Sequence, residues 1–397
     1  MKSKVAVIGQ GYVGLPLSIS LAESGFVVWG VDVNSDLVAH LNQGASHIED
    51  IDTNRIKQQL ISRNYQATTD YSVIINTDVV VICVPTPLGE DRNPNLSYLL
   101  SSVKSVSERL KQDTLIVIES TVAPGTTRNL LVPIIEKEFG SITDRLHIAF
   151  SPERVDPQNQ TWNITNTPKL IAGLTPKSKK MAVDFYSNIV ANIVECDSIE
   201  VAETAKLLEN TFRLINISFI NEFRVFCDLL GINIEEVIKV AATKPYGFMP
   251  FYPSLGIGGH CIPVDPLYLS HRAREIGAPT KFIDLADQIN HSIPGYFVSK
   301  AESLLNGLPG KKLLVVGLAY KPNVADVRET PVTALISGLR QKGAQVYWHD
   351  DLVKAWNGEK SVRLSSDFDL AILATPHDYL DLKKLGNVPI LNTRGSI

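Results

Sequence analysis

The chain has 397 residues, 44% of them hydrophobic and 20% charged, with a formal net charge of -4. That length exceeds one ordinary core and suits two or three domains of a globular protein. The acidic balance argues against a general nucleic-acid binder, and no apolar run approaches the roughly 20 residues that span a bilayer.

Residues 4–8 read as a β-branched strand, entered directly from Met1-Lys2-Ser3, which argues against a cleaved signal peptide. Gly9-Gln10-Gly11-Tyr12-Val13-Gly14 follows at once, then a helical segment at 15–24 and a second strand at 26–32 that ends in Asp32. A lone GxGxxG is weak, but this one lies between strand and helix with an acid closing the next strand, as a dinucleotide fingerprint requires. The first glycine permits the tight turn, the second lets the backbone approach a pyrophosphate, and the third lets helix pack on strand. Asp32 would bond the adenosine ribose hydroxyls and repel a 2′-phosphate, favouring NAD over NADP. The alternative is a glycine-rich turn without a cofactor.

Strands at 79–84, 115–119 and 146–150 continue the βαβ rhythm. They run into Pro85-Thr86-Pro87, Ser120-Thr121 and Ser151-Pro152-Glu153-Arg154. Ligands of doubly wound sheets bind outside the carboxyl ends of the strands, so these endings should line one crevice. Thr121 offers a hydroxyl and Glu153 a base, unless either caps a helix or makes a surface ion pair.

Residues 198–230 lack proline, and Ala202, Ala205, Leu207, Leu208, Phe212, Ile215, Phe219, Phe223 and Phe226 recur at helical spacing as one apolar face. Gly231 is the expected stop. So long a helix should bridge domains or pack on a partner subunit. Lys206 and Asn210 project from neighbouring turns, suited to holding an oxyanion, or are a solvated pair on the helix surface.

After a linker at 244–253 comes Gly256-Ile257-Gly258-Gly259-His260-Cys261-Ile262-Pro263-Val264-Asp265-Pro266. The four cysteines are scattered, with neither a CxxC pair nor zinc-like spacing, which fits a reducing cytoplasm. Cys83 and Cys227 fall in apolar segments and read as packing residues, leaving Cys261 as the one thiol on a loop. It is either a nucleophile promoted by His260 or Lys206, or a buried cysteine in a glycine-rich turn. Strands at 311–317, 345–348 and 368–373 with a helix at 330–342 form a second α/β unit without GxGxxG. It should hold something other than a second dinucleotide. Lys321, Arg328 and Arg394 there suit phosphate contacts or are surface charges.

Taken together, 9–16, Val84-Pro85-Thr86-Pro87, 119–127, 151–154, 206–211, 258–266 and Gly317-Leu318-Ala319-Tyr320-Lys321-Pro322 resemble the UDP-glucose/GDP-mannose dehydrogenase family along essentially the whole chain. Segments 151–157 and 244–248 look like its UDP-N-acetylhexosamine branch. The resemblance implies an α/β protein of two Rossmann-like doubly wound domains joined by a long central helix and a helical middle domain. The implied divisions are 1–195 for NAD, 196–300 for dimerisation and the Cys loop, and 301–397 for UDP.

It further implies NAD-dependent, four-electron oxidation of a sugar C6 hydroxyl through a Cys261 thiohemiacetal and thioester. The first expected substrate is UDP-GlcNAc, for surface-polysaccharide precursors. UDP-glucose 6-dehydrogenase is the alternative, and a two-electron hydroxy-acid dehydrogenase a more distant one. A cytoplasmic homodimer or higher homo-oligomer is expected, without nucleic acid, membrane or metal. Carried over residue by residue, Gly9, Gly11, Tyr12, Val13, Gly14, Asp32, Pro85, Thr86 and Thr121 would meet the cofactor. Glu153, Arg154, Lys206, Asn210, Tyr252, Gly258, Gly259, Lys321 and Arg328 would meet the substrate. Cys261, Lys206, Asn210, Asp265, Glu153 and Thr121 would carry the chemistry. The chain departs from the family pattern at three sites: Ser254-Leu255 in place of Gly-Pro, Leu37 in place of a basic residue, and Ala325 in place of an acid.

Overall fold

A computed structural model describes residues 3–48, 51–141, 145–156, 159 and 161–394. Met1, Lys2 and Pro157 of the sequence reading lie outside these. The chain divides into two compact units, Met1–Leu208 and Glu209–Ile397.

In the first unit the elements run β1 (Lys4–Ile8), α1 (Gly14–Glu23), β2 (Val27–Val31), α2 (Ser35–Asn42), α3 (Thr53–Ile61), β3 (Tyr65–Thr68), β4 (Val79–Ile82), α4 (Ser97–Ser107) and β5 (Thr114–Ile118). There follow α5 (Val132–Phe139), β6 (Leu146–Phe150), β7 (Lys169–Gly173), α6 (Pro176–Tyr186) and β8 (Ile193–Glu195). The strand order is β3-β2-β1-β4-β5-β6-β7-β8. Its first six strands are parallel in the doubly wound order, whose switch point lies between β1 and β4. β7 runs antiparallel to β6, pairing Phe150 with Ala172 and Ala149 with Gly173. Strands such as Val79-Val80-Val81-Ile82 are buried along their whole length, because helices cover both faces of a parallel sheet. One face packs Leu15, Leu17 and Ile19, the other Leu99, Val103 and Ile135.

α7 (Ile199–Leu230) carries the chain from the first unit into the second. Then come α8 (Ile234–Ala241), α9 (Asp265–Glu275), α10 (Lys281–Leu305), β9 (Lys312–Val316), α11 (Val332–Gln341) and β10 (Gln345–His349). A hairpin of β11 (Ala355–Trp356) and β12 (Glu359–Lys360) precedes β13 (Leu370–Leu373) and β14 (Ile390–Asn392). The second sheet, β10-β9-β13-β14, is parallel throughout. Arg224 of α7 is buried and ties this unit together. Its guanidinium donates to the Thr393 and Asn392 carbonyls and lies over the Phe297 ring, 4.8 Å from the centroid.

The apolar face read along α7 is in good part open to solvent. Ala202, Leu207 and Leu214 are buried, but Leu208, Phe212, Phe219 and Phe226 are 61%, 46%, 59% and 54% exposed. Beyond Leu214 the buried residues mix polar with apolar side chains: Ser218, Ile220, Asn221, Arg224 and Cys227. One expectation is corrected here: Cys261 is not the only cysteine outside regular elements. Cys83 follows β4 and Cys196 lies between β8 and α7, but both are buried. No helix among the described residues is long and apolar enough to cross a membrane.

Candidate active site

The glycine motif leaves β1 through a sharp turn. Gly9 has φ +88°, donates to the Val31 carbonyl at 2.7 Å, and has no room for a side chain: a Cβ would stand 2.8 Å from the Cys83 carbonyl oxygen. A Cβ on Gly14 would collide with the Gly9 carbonyl. The buried Gln10 accepts from the Tyr65 hydroxyl at 2.9 Å, while its own amide donates to Asp32 Oδ2 at 2.8 Å. Asp32 Oδ1 accepts from the Asn34 amide at 3.0 Å, so the half-buried carboxylate is oriented and still has lone pairs to offer. Tyr12 is exposed, Val13 is half-buried, and no side chain caps the start of α1 among the described residues. Close backbone approach, an uncapped helix start and an oriented acid suit a dinucleotide, and these residues would hold NAD.

Leu37, one of the departures, packs partly buried against the first unit's core.

Pro85 and Thr86 follow β4, and Thr121 follows β5, on the same rim of the sheet. The loop beyond Thr121 is held by Glu203, a residue the sequence reading missed. Its Oε2 accepts from the Gly125 amide at 2.6 Å and its Oε1 from the Thr127 amide at 2.9 Å. Burial raises the Glu203 carboxyl to about 7, against the lowering effect of those bonds.

Glu153 leaves β6, and its Oε1 accepts from the Arg154 and Val155 amides at 2.8 and 2.7 Å. Its Oε2 lies 3.3 Å from Nζ of Lys169, which is 5% exposed and was also missed. Burial raises the Glu153 carboxyl, but Lys169, the Val155 amide, Lys206 and the Arg154 amide together bring it below its ordinary value. Arg154 Nη1 donates to the Pro168 carbonyl at 2.7 Å, so this arginine also fastens the loop.

In the second unit, Asn210 is buried and its Nδ2 donates to Asp265 Oδ2 at 2.6 Å. Asp265 opens α9 and is 2% exposed. Cys261 stands one turn earlier, its carbonyl accepting from the Asp265 and Val264 amides at 2.8 and 3.2 Å. Its thiol is the exposed one of the four. Beside it, His260 Nε2 accepts from Arg328 Nη1 at 3.0 Å, while Arg328 Nε donates to Asp326 at 2.9 and 3.0 Å. Ala325, the third departure, therefore has an acid as its immediate neighbour, and that acid grips Arg328.

Gly258 and Gly259 are buried, and a Cβ on Gly258 would stand 2.6 Å from the Tyr320 Cβ. The loop is glycine-rich because it packs against its own unit. Ile257 is clasped by Asn290, which accepts its amide at 2.6 Å and donates to its carbonyl at 3.3 Å. The Ser254-Leu255 departure is an anchor: the Ser254 amide donates to Asn221 at 2.8 Å and Leu255 is 2% exposed in the core. Tyr252 is exposed and Lys321 half-buried.

Residues 3–190 match the NAD binding domain of the UDP-glucose/GDP-mannose dehydrogenase family, 200–292 its central domain and 314–394 its UDP binding domain. The chain belongs to this family. It is an NAD-dependent nucleotide-sugar dehydrogenase. It is 34% identical to Protein CapL of Staphylococcus aureus over 97% of this chain and 92% of that one. It is 35% identical to the UDP-N-acetyl-D-glucosamine 6-dehydrogenase of Pseudomonas aeruginosa over 89% of this chain and 83% of that one. The solved UDP-D-ManNAc dehydrogenase from Pyrococcus horikoshii superposes with a TM-score of 0.90 at 31% identity, covering 98% and 95% of the two chains.

Proposed function

We propose that this dehydrogenase oxidises the C6 hydroxyl of a UDP-N-acetylhexosamine to the carboxylate, with UDP-GlcNAc ahead of UDP-GalNAc, UDP-ManNAc and UDP-glucose, for surface-polysaccharide precursors. The observation that carries this reading is the exposed Cys261 thiol one turn before Asp265, whose carboxylate orients Asn210. A hydroxyl-to-aldehyde enzyme has no use for such a thiol; an alcohol-to-acid enzyme does. Relatives named for UDP-N-acetyl-D-glucosamine and UDP-D-ManNAc support the sugar class.

NAD+, which Gly9, Gly11, Gly14 and Asp32 would hold, would supply a two-electron oxidant for each oxidation, one NAD+ per step, with the C6 hydroxyl proton released to solvent. The Cys261 sulfur attacks the C6 aldehyde, forming a thiohemiacetal that retains it. Lys206 and the second N–H of Asn210 stabilise the oxyanion that forms. Loss of the remaining C6 hydrogen as hydride leaves a thioester. Water directed by Asp265 and Glu153 attacks that carbonyl, releasing the acid and restoring the thiol, while Thr121 positions water or substrate. Lys321 and Arg328 contact the diphosphate, with Tyr252 nearer the sugar. In this reading 1–195, 196–300 and 301–397 serve NAD, dimerisation and UDP, and the exposed face of α7 with Leu208, Phe212, Phe219 and Phe226 covers a second copy.

The test is a panel of these four UDP-sugars with NADH counted per sugar consumed. Two NADH are expected; one would sink the reading in favour of a two-electron dehydrogenase. Cys261→Ser should abolish acid formation, and full acid production by that variant would remove the thiol from the reaction.

A further inference from the structure

The first unit buries a group of charges that the reaction above leaves unused. Glu119 follows β5 directly and its side chain is fully enclosed; Lys169 opens β7. Lys169 Nζ stands 3.1 Å from Glu119 Oε1 and 3.3 Å from Glu153 Oε2. The Tyr186 hydroxyl donates to Glu119 Oε1, the Cys83 thiol lies 3.9 Å from Oε2, and the ammonium sits 5.0 Å from the Tyr186 ring centroid. One cation thus serves two carboxylates, and each of these has further donors of its own.

We propose that Lys169 is a positioning residue for Glu153, holding its carboxylate from inside the sheet, with Glu119 and Tyr186 as the brace that keeps the lysine in place. The proposal rests on the reading of Glu153 as a group that directs water. Stability does not account for the arrangement. Buried ion pairs are often replaceable by apolar side chains without loss, because desolvation offsets their attraction. Neutralising Lys169 would need only Glu119, yet the cluster carries two acids for one base, so the carboxylates compete for the cation.

The surroundings decide that competition. Burial raises the Glu119 carboxyl above its ordinary value despite Lys169, whereas Glu153, with two amides on its other oxygen, is held below it. Lys169 itself is raised: burial lowers it, but Glu119 and Glu153 outweigh burial. The acid nearer the reaction is therefore the one kept ionised and fixed in one rotamer. The acid behind it absorbs the unfavourable charge.

The experiment compares Lys169→Met, Lys169→Arg, Glu153→Gln and the Glu153→Gln/Lys169→Met pair, with UDP-GlcNAc or whichever UDP-sugar of the panel turns over. Glu153→Gln should lower kcat about 100-fold and Lys169→Met about 10-fold. Lys169→Met should also move the acid limb of the kcat profile up by about one pH unit, since the neighbouring cation is gone, while Lys169→Arg keeps the limb in place. The pair should be no worse than Glu153→Gln alone, because both act through one carboxylate.

Lys169→Met within twofold of wild type with an unmoved acid limb overturns the proposal and leaves the role of Glu153 standing. So does a pair whose losses multiply. Full activity of Glu153→Gln instead overturns the reading of Glu153, and the proposal with it. Should Lys169→Met fail to fold, Glu119→Gln/Lys169→Met removes the surplus buried acid, and the same shift of the acid limb is expected of it.

Discussion

The two Rossmann-like sheets leave their first strand in the same way and then treat the next acid in opposite ways. Gly9 and Gly317 have φ +88° and +86°, and they donate to Val31 and His349 at 2.7 and 2.8 Å. The following amides, of Gln10 and Leu318, each donate at 2.8 Å to the acid ending the second strand, Asp32 or Asp350. Asp32 also accepts from the Asn34 amide and remains half-buried. Asp350 is 1% exposed, and it also accepts from the Ala319, Leu352 and Val353 amides and from His377 Nε2 at 3.1 Å. On the proposed reading, one turn geometry serves as a ligand site in one sheet, while in the other it is a structural knot. Possession of a Rossmann-like strand order says little about dinucleotide binding; the lone pairs left on one carboxylate say much more.

Exchanging the insult between these acids should separate their roles. Asp350→Ala should have the largest effect, lowering unfolding stability by about 3–5 kcal/mol in urea titrations, because four amides and an imidazole lose their acceptor. Acid should imitate it. Burial raises Asp350, but His377 and the amides bring it down to about 2, so its contribution holds above the unfolded value near 3.8 and is lost as pH falls toward 2.

Asp32→Asn should leave the urea midpoint nearly unchanged and raise the KM for NAD+ about 10- to 100-fold. A stability loss matching that of Asp350→Ala would erase the distinction between the two turns.

A smaller effect on stability contrasts a buried carboxyl of the first unit with Asp350. Glu203 is raised to about 7 by burial, so its contribution is present below the unfolded value near 4.5 and is lost as pH rises through 7. Between pH 5 and 8 the wild type should lose about 2–3 kcal/mol relative to Glu203→Gln, below the loss expected of Asp350→Ala. An unchanged difference across that range would show that the amides of Gly125 and Thr127 outweigh burial.

Local grammar made part of this legible. The glycine motif, Asp32, the buried strands and the loop thiol are each signalled within a few residues, by period, turn chemistry or residue type. What stayed hidden depends on partners remote in sequence. Nothing around Asp350 announces His377, and nothing around Asn210 announces Asp265, 55 positions away. Lys169 and Glu203 gave no signal of their own, since residues of their types are rarely buried. Along α7, periodicity reports which side is apolar, not which side its own unit buries.

The reversal of β7 against β6 has one more consequence. In an all-parallel sheet the functional rim is built from residues departing their strands. A strand running backwards instead brings its first residue to that rim. Continuing the pairing of Phe150 with Ala172 three steps outward sets Glu153 opposite Lys169. The lysine is therefore placed by the alignment of two strands, not by loop length. A single-residue deletion early in β7 would turn its neighbours over to the opposite face and take the ammonium away from both carboxylates, even if every residue of the cluster were retained.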